Sequence, residues 1–284
     1  IGLMSILLKA GKKVDFVTRD TIPLIYNFLP YIDKIKKVSS VDKKYDVLVL
    51  LECSDKERSG GIIDFKRNAK ISVNIDHHLG NTKYADINII DSNASAVGMQ
   101  LFDFFNKAGW KIDSDVATAL YTAIITDTGS FNFSNSTPEV HNTTATLIKK
   151  GAKPSFISSN VYATSPESTK LMSQMLSKIK IENGVGWSVL TKKMFAETKA
   201  HDSETDSFIN LIRNIKDVQI AVLFKEYGKN LIKVSFRAKS GFDVNRIATL
   251  FSGGGHKYAS GCVIHKSLNE AIRIVLSAIK KSKG

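Results

Sequence analysis

A chain of 284 residues accommodates one large domain or two ordinary ones and can bury a full hydrophobic core without disulfides or a structural metal. Hydrophobic residues at 43% and charged residues at 24% exclude a disordered or collagen-like chain, and no apolar run approaches the ~18 residues of a membrane-spanning helix. The formal charge of +13 is uneven: residues 1–158 carry 20 basic and 17 acidic side chains, whereas residues 159–284 carry 20 and 10. An excess placed in the second half suits a polyanionic partner, although surface lysines also solubilise a fold whatever it binds.

In chain order, residues 13–17, 45–51, 69–75 and 86–90 read as strands. The run Val47-Leu48-Val49-Leu50-Leu51 is continuously apolar, as a strand covered on both faces would be. Helical periodicity follows at 94–108, 114–126 and 138–150. Strands alternating with helices predict an α/β fold built on a doubly wound, mostly parallel sheet. A polar stretch at 158–167 reads as a linker into a helix at 167–179. Beyond it come a strand at 186–190, a helix at 203–215, strands at 218–224 and 231–237, and helices at 243–251 and 268–280. That order predicts a smaller α+β domain, giving a first domain at 1–158, a linker at 159–175 and a second domain at 176–284. The apolar residues 1–8 lack the basic start and the cleavage site of a signal peptide. Two distant cysteines, Cys53 and Cys262, exclude a disulfide framework; they are expected in packing roles, in a reducing cytoplasm.

Four clusters carry chemistry. Asp76-His77-His78 ends a predicted strand, at the carboxyl edge where parallel sheets place their ligand sites. The pair is either a metal and substrate site or two ordinary surface histidines. Glu52, in Leu51-Glu52-Cys53-Ser54-Asp55, leaves the most apolar strand and needs a cationic partner, for which a hard divalent cation is suitable; Asp55 fits better as a helix cap. Asp127, in Ile125-Thr126-Asp127-Thr128-Gly129, ends an apolar helix, where a negative charge is unfavourable unless a cation offsets it. Gly253-Gly254-Gly255-His256-Lys257 is either a phosphate-cradling loop or a long helix stop. Upstream, Lys233, Ser235 and Arg237 fall on one face of a strand, with Arg237 a candidate phosphate fork. His141, His201 and His265 have no partner pattern and are expected at the surface.

The order and spacing of these clusters resemble the DHH phosphoesterases. The phrase Asn74-Ile75-Asp76-His77-His78-Leu79-Gly80-Asn81-Thr82 is similar to the signature that names the family, and Thr126-Asp127-Thr128-Gly129-Ser130-Phe131 to its fourth motif. Gly253-Gly254-Gly255-His256-Lys257, with Ala259 and Gly261 after it and Asp243-Val244-Asn245-Arg246 before it, resembles the DHH-associated C-terminal domain. The compact layout is similar to the nanoRNase/pAp-phosphatase branch. The resemblance implies an active site in an interdomain cleft and hydrolysis of short oligoribonucleotides and 3′-phosphoadenosine 5′-phosphate (pAp). It implies two Mn²⁺ ions, with Mg²⁺ as an alternative; His77, Asp127 and Glu52 as ligands of the second; Asp76 orienting the histidines; and His78 on the scissile phosphate. Arg237, Gly253, Gly254, Gly255 and His256 would hold the far end of the substrate. Its partners would be short RNA or nucleotides and no membrane, with a homodimer allowed.

The sequence departs from that pattern twice. The family's Asp-x-Asp turn, which supplies most of the first metal site, is absent, so the natural chain is expected to continue upstream of Ile1. Glu52 stands where the family usually has Asp, which moves the carboxylate by roughly one bond length, about 1.5 Å. Two other readings stand beside this one: a phosphodiesterase for cyclic or linear dinucleotides, and a metal-poor nucleotide-binding protein. A general nucleic-acid module is disfavoured because the basic half shows no interleaving of basic and aromatic residues.

Overall fold

The computed structural model describes residues 1–239 and 241–282. The chain divides into two compact units, Ile1–Ala163 and Thr164–Gly284. Among the described residues no helix is long and apolar enough to cross a membrane.

The first unit opens with α1 (Gly2–Lys9) and pairs its strands in parallel throughout. β1 (Phe16–Thr18) lies beside β2 (Ile35–Lys37), and β3 (Tyr45–Leu51), β4 (Ala69–Asp76) and β5 (Ile87–Ile90) form a second sheet in that order, with the short α2 (Phe65–Asn68) between β3 and β4. Helices α3 (Val97–Lys107), α4 (Ser114–Asp127), α5 (Pro138–Lys149) and α6 (Pro154–Val161) close the core around Phe105, Leu120, Ile124 and Leu147. Proline opens two of them at the first helical position, where its missing N–H is no loss. Gly98 lets α3 and α4 touch, since a Cβ there would lie 3.0 Å from the Ala123 methyl group.

The parallel α/β architecture agrees with the sequence, but the run 47–51 is not covered on both faces. Val49 and Leu51 pack on the helical core, while Val47 is 50% exposed and its β4 partner Ile71 is 44% exposed. The helices reach only the carboxyl half of this face. The expected linker at 159–175 also takes another form: its start belongs to α6, whose Ile157 and Val161 are buried, and most of the rest is α7 (Pro166–Leu176). Ser158-Ser159-Asn160 is polar because it lies on the outer side of a helix, not because it is a loop.

In the second unit the sheet order is β10-β11-β9-β8-β7-β6, made from β6 (Lys180–Glu182), β7 (Val185–Leu190), β8 (Ile220–Gly228), β9 (Leu231–Ala238), β10 (Gly254–His256) and β11 (Ala259–Ile264). Only β7 and β8 pair in parallel among these, and their connection carries α8 (Lys192–Thr198) and α9 (Phe208–Arg213). β8 is buried on both faces. Ile220, Val222 and Phe224 enter a core with α10 (Val244–Thr249) and α11 (Leu268–Ser282), while Ala221 and Leu223 enter a second core with α7 and α9. β9 alternates strictly, burying Ile232, Val234, Phe236 and Ala238 and turning Lys233, Ser235 and Arg237 to the other face.

The glycine cluster is partly strand. A Cβ on Gly253 would lie 2.2 Å from the Gly261 carbonyl, and Gly255 has φ +142° with its Cβ position 2.6 Å from the Ala259 carbonyl. At Gly254 the nearest atom would be 4.0 Å away. Gly253→Ala should therefore destabilise the protein by about 1–3 kcal/mol through overpacking against backbone. Gly254→Ala should leave the thermal midpoint within about 2 °C, a shift below ~1 kcal/mol. Equal losses in the two variants, read by calorimetry, would contradict this packing account.

Candidate metal centre

β3 and β4 run in register up to the pair Leu51 and Ile75, so the residues that follow leave the sheet at one level. Glu52 comes first after β3, in the left-handed region at φ 57°, which costs a non-glycine residue about 1–2 kcal/mol. That conformation sends its carboxylate to two places. Oε1 accepts from the Val97 N–H at the start of α3 (3.2 Å), and Oε2 lies 3.3 Å from His77 Nε2.

Asp76 ends β4 and is fully buried. Its Oδ1 lies 2.6 Å from His78 Nδ1 and its Oδ2 accepts from Asn81 Nδ2 at 2.6 Å. Burial alone would push this carboxyl up, but the bonds from Asn81 and His78 hold it below the ordinary Asp value. Asn81 also donates to the Asn74 side chain (2.8 Å) and to the Cys53 carbonyl (3.2 Å), which further accepts from Asn74 and from the Tyr84 hydroxyl. Asp76 thus orients His78. His77 is oriented otherwise: its Nδ1 lies 3.0 Å from the Ala94 carbonyl, which assigns the proton to Nδ1 and turns Nε2 toward Glu52.

Asp127 is the last residue of α4, and no basic residue stands in that turn. Ligand atoms of Glu52, His77 and Asp127 all lie within 4.8 Å of one another. Burial, and then the charge of Glu52, raise the Asp127 carboxyl to about 7. Burial works against a charged His77, yet the bond and charge of Glu52 prevail and raise it to about 9. Two carboxylates and an imidazole so placed offer oxygen and nitrogen donors that suit a divalent cation of the Mn²⁺ or Mg²⁺ kind.

The remaining sequence-derived residues lie in the second unit. His256 on β10 pairs with Ala259 on β11, which pairs with Arg237 on β9, so the imidazole and the guanidinium share one row and one face. With one strand between them, their backbones are about 9–10 Å apart. His256 is exposed, while Arg237 is half-buried; burial and then the charge of Arg213 lower its pKa. Such a cation gains from an anionic partner. Gly253, Gly254 and Gly255 stand beside this row. His141, His201 and His265 are exposed as expected, and burial pushes the thiols of Cys53 and Cys262 up. Sequence reasoning missed Asn74, Asn81 and Tyr84; an Asn inside an apolar strand was the signal for the first.

The shifts at Asp127 and His77 have one sign. A raised pKa means more protons bound folded than unfolded. Stability from Asp127 is present below its ordinary 3.8 and is lost as pH rises through about 7; that from His77 is present below 6.5 and lost through about 9. With divalent cations chelated, the thermal midpoint of the parent should therefore fall more steeply between about pH 4 and 7 than that of Asp127→Asn. Groups present in both proteins, His77 among them, largely cancel in this comparison. Parallel curves would exclude the assigned protonation.

Comparison with known proteins gives concordant matches. Residues 1–124 match the DHH family, N-terminal domain, and residues 186–281 match the DHHA1 domain. The chain is 28% identical, over 286 aligned positions, to the bifunctional oligoribonuclease and PAP phosphatase NrnA of Thermus thermophilus, covering 99% of this chain and 84% of that one. The protein of the same name from Mycoplasma pneumoniae is 30% identical over 235 positions, 81% of this chain and 68% of that one. The crystal structure of an exopolyphosphatase-related protein from Bacteroides fragilis gives a TM-score of 0.92 at 26% identity, over 99% of this chain and 87% of that one. With one domain match to each unit and the motif residues gathered at one sheet edge, the chain belongs to the DHH family of phosphoesterases and carries a DHHA1 domain as its second unit.

Proposed function

We propose that this protein is a Mn²⁺-dependent hydrolase of short oligoribonucleotides and pAp, with Glu52, His77 and Asp127 as cation ligands. The observation that carries the reading is the gathering of these three side chains within 4.8 Å, where burial and then the charge of Glu52 raise Asp127 to about 7. The names of the relatives from Thermus thermophilus and Mycoplasma pneumoniae supply the substrate class. A divalent cation held by Glu52, His77 and Asp127 would supply Lewis acidity, lowering the pKa of the attacking water and offsetting charge on the phosphoryl oxygens.

The chain's own groups do the rest. His77 keeps its proton on Nδ1, toward the Ala94 carbonyl, and offers Nε2 to the cation. His78, its ring fixed by Asp76 Oδ1 at 2.6 Å from Nδ1, contacts a phosphate oxygen of the substrate through Nε2. Asp76 is kept ionised by Asn81, so it serves as acceptor throughout. In the second unit, Arg237, His256 and the open backbone at Gly254 bind substrate phosphate, with Gly253 and Gly255 holding that backbone in shape.

Titration with Mn²⁺ should reveal at least one site in the parent and lose it in His77→Ala and Asp127→Ala. In the full-length protein, the same variants should reduce hydrolysis of pAp and of a dinucleotide by at least about 10²-fold, and a 24-mer should be a poor substrate. Activity unaffected by chelation would refute the reading. Arg237→Ala should raise KM for a dinucleotide by about 10- to 150-fold, the equivalent of ~1.5–3 kcal/mol for one charge-assisted contact, with Mn²⁺ binding unchanged. An unchanged KM removes Arg237 from the substrate site.

A further inference from the structure

The three proposed ligands come from three separate segments, and one turn contacts two of them. Residues 94–97 join β5 to α3; Ala94 presents its carbonyl to His77 Nδ1 (3.0 Å), and Val97 presents its N–H to Glu52 Oε1 (3.2 Å). The third ligand, Asp127, sits on the end of α4. Its carboxylate meets the others only if that helix end is fixed against the turn.

One side chain spans the gap. Asn135 Nδ2 donates to the Ser95 carbonyl (3.1 Å) and to the Asp127 carbonyl (3.2 Å), and the Asn135 backbone carbonyl accepts from the Ser95 hydroxyl. The orientation of the amide follows from its neighbours, because the flipped form would set Oδ1 against two carbonyl oxygens. A planar amide has two N–H donors at a fixed angle; a carboxylate has none and a hydroxyl only one. The loop that delivers Asn135 is under strain. It leaves α4 through Gly129, Ser130 and Phe131, all left-handed at φ 55°, 55° and 65°. That path is costly for Ser and Phe. It is held by bonds from Ser130 N to the Ile125 carbonyl (2.8 Å) and from Asn132 N to the Thr128 carbonyl (3.0 Å). The result is a chain that doubles back alongside Asp127.

We propose that Asn135 is a positioning residue of the cation site, fixing the Asp127 carboxylate relative to Glu52 and His77. The proposal rests on the metal reading given above. Its test is direct titration of the full chain with Mn²⁺, by calorimetry or by the spin-resonance signal of the free ion, well below the thermal midpoint. Asn135→Ala should weaken Mn²⁺ binding by about 10- to 100-fold, as is usual when an outer partner of a ligand is removed. Asn135→Ser, which keeps one donor, should lose less, and it carries the test if the alanine variant does not fold. Asn132→Ala is the matched control. Asn132 Nδ2 also donates twice, to the Gly129 and Ser130 carbonyls, but reaches neither Asp127 nor the turn 94–97. It should destabilise the loop and leave Mn²⁺ affinity within about twofold of the parent. Parent-like affinity in both Asn135 variants, or an equal loss in Asn132→Ala, overturns the positioning role. Parent-like affinity in His77→Ala and Asp127→Ala instead overturns the metal assignment, and the proposal with it.

Discussion

Two carboxylates, Glu52 and Asp127, are held close to each other in a partly buried place, and that arrangement is unfavourable without positive charge. Much of the first unit is organised around this constraint. The backbone N–H of Val97 faces one of them at a helix start, where the peptide dipoles offer partial positive charge. His77 supplies a second donor, and its ring is fixed by a backbone carbonyl and not by another acid, which would deepen the charge deficit. The buried Asp76, whose carboxylate also lies within 4.8 Å of that of Glu52, is satisfied by Asn81 and His78.

The parallel sheet makes the site available at little conformational cost. Neighbouring parallel strands end side by side, so chain segments distant in sequence present their next residues at one edge. Glu52 follows β3, and Asp76, at the end of β4, leads into His77 and His78. The helix α4 brings Asp127 from the other direction, capped at its far end by Asp113, which accepts from the Val116 N–H.

The sequence made much of this legible through residue type and position. Asp76-His77-His78, Glu52 and Asp127 are polar where their segments are apolar, and the structure brings their side chains together. Two apolar runs show the limit of that method. Residues 47–51 and 220–224 read alike, yet the second is buried on both faces and the first is not, because coverage depends on which distant helices reach each face. The glycines at 253 and 255 carried two meanings, and close approach to the Gly261 and Ala259 carbonyls accounts for both without a ligand. Asn135 was illegible: an asparagine in a polar loop gives no hint that it will meet Ser95, forty residues away. Asn81 stood inside the recognised phrase, but its role depends on the depth of Asp76, which no local pattern reveals.

The second unit places β8 between two cores, one with α10 and α11 and the other with α7 and α9. Removing either helical layer would expose alternate residues of the same strand to water. Loss of either layer therefore costs the packing of β8 itself, and this couples the two cores through one strand. A module built this way ties the row that carries Arg237 and His256 to both of its cores, since β9 pairs along its length with β8.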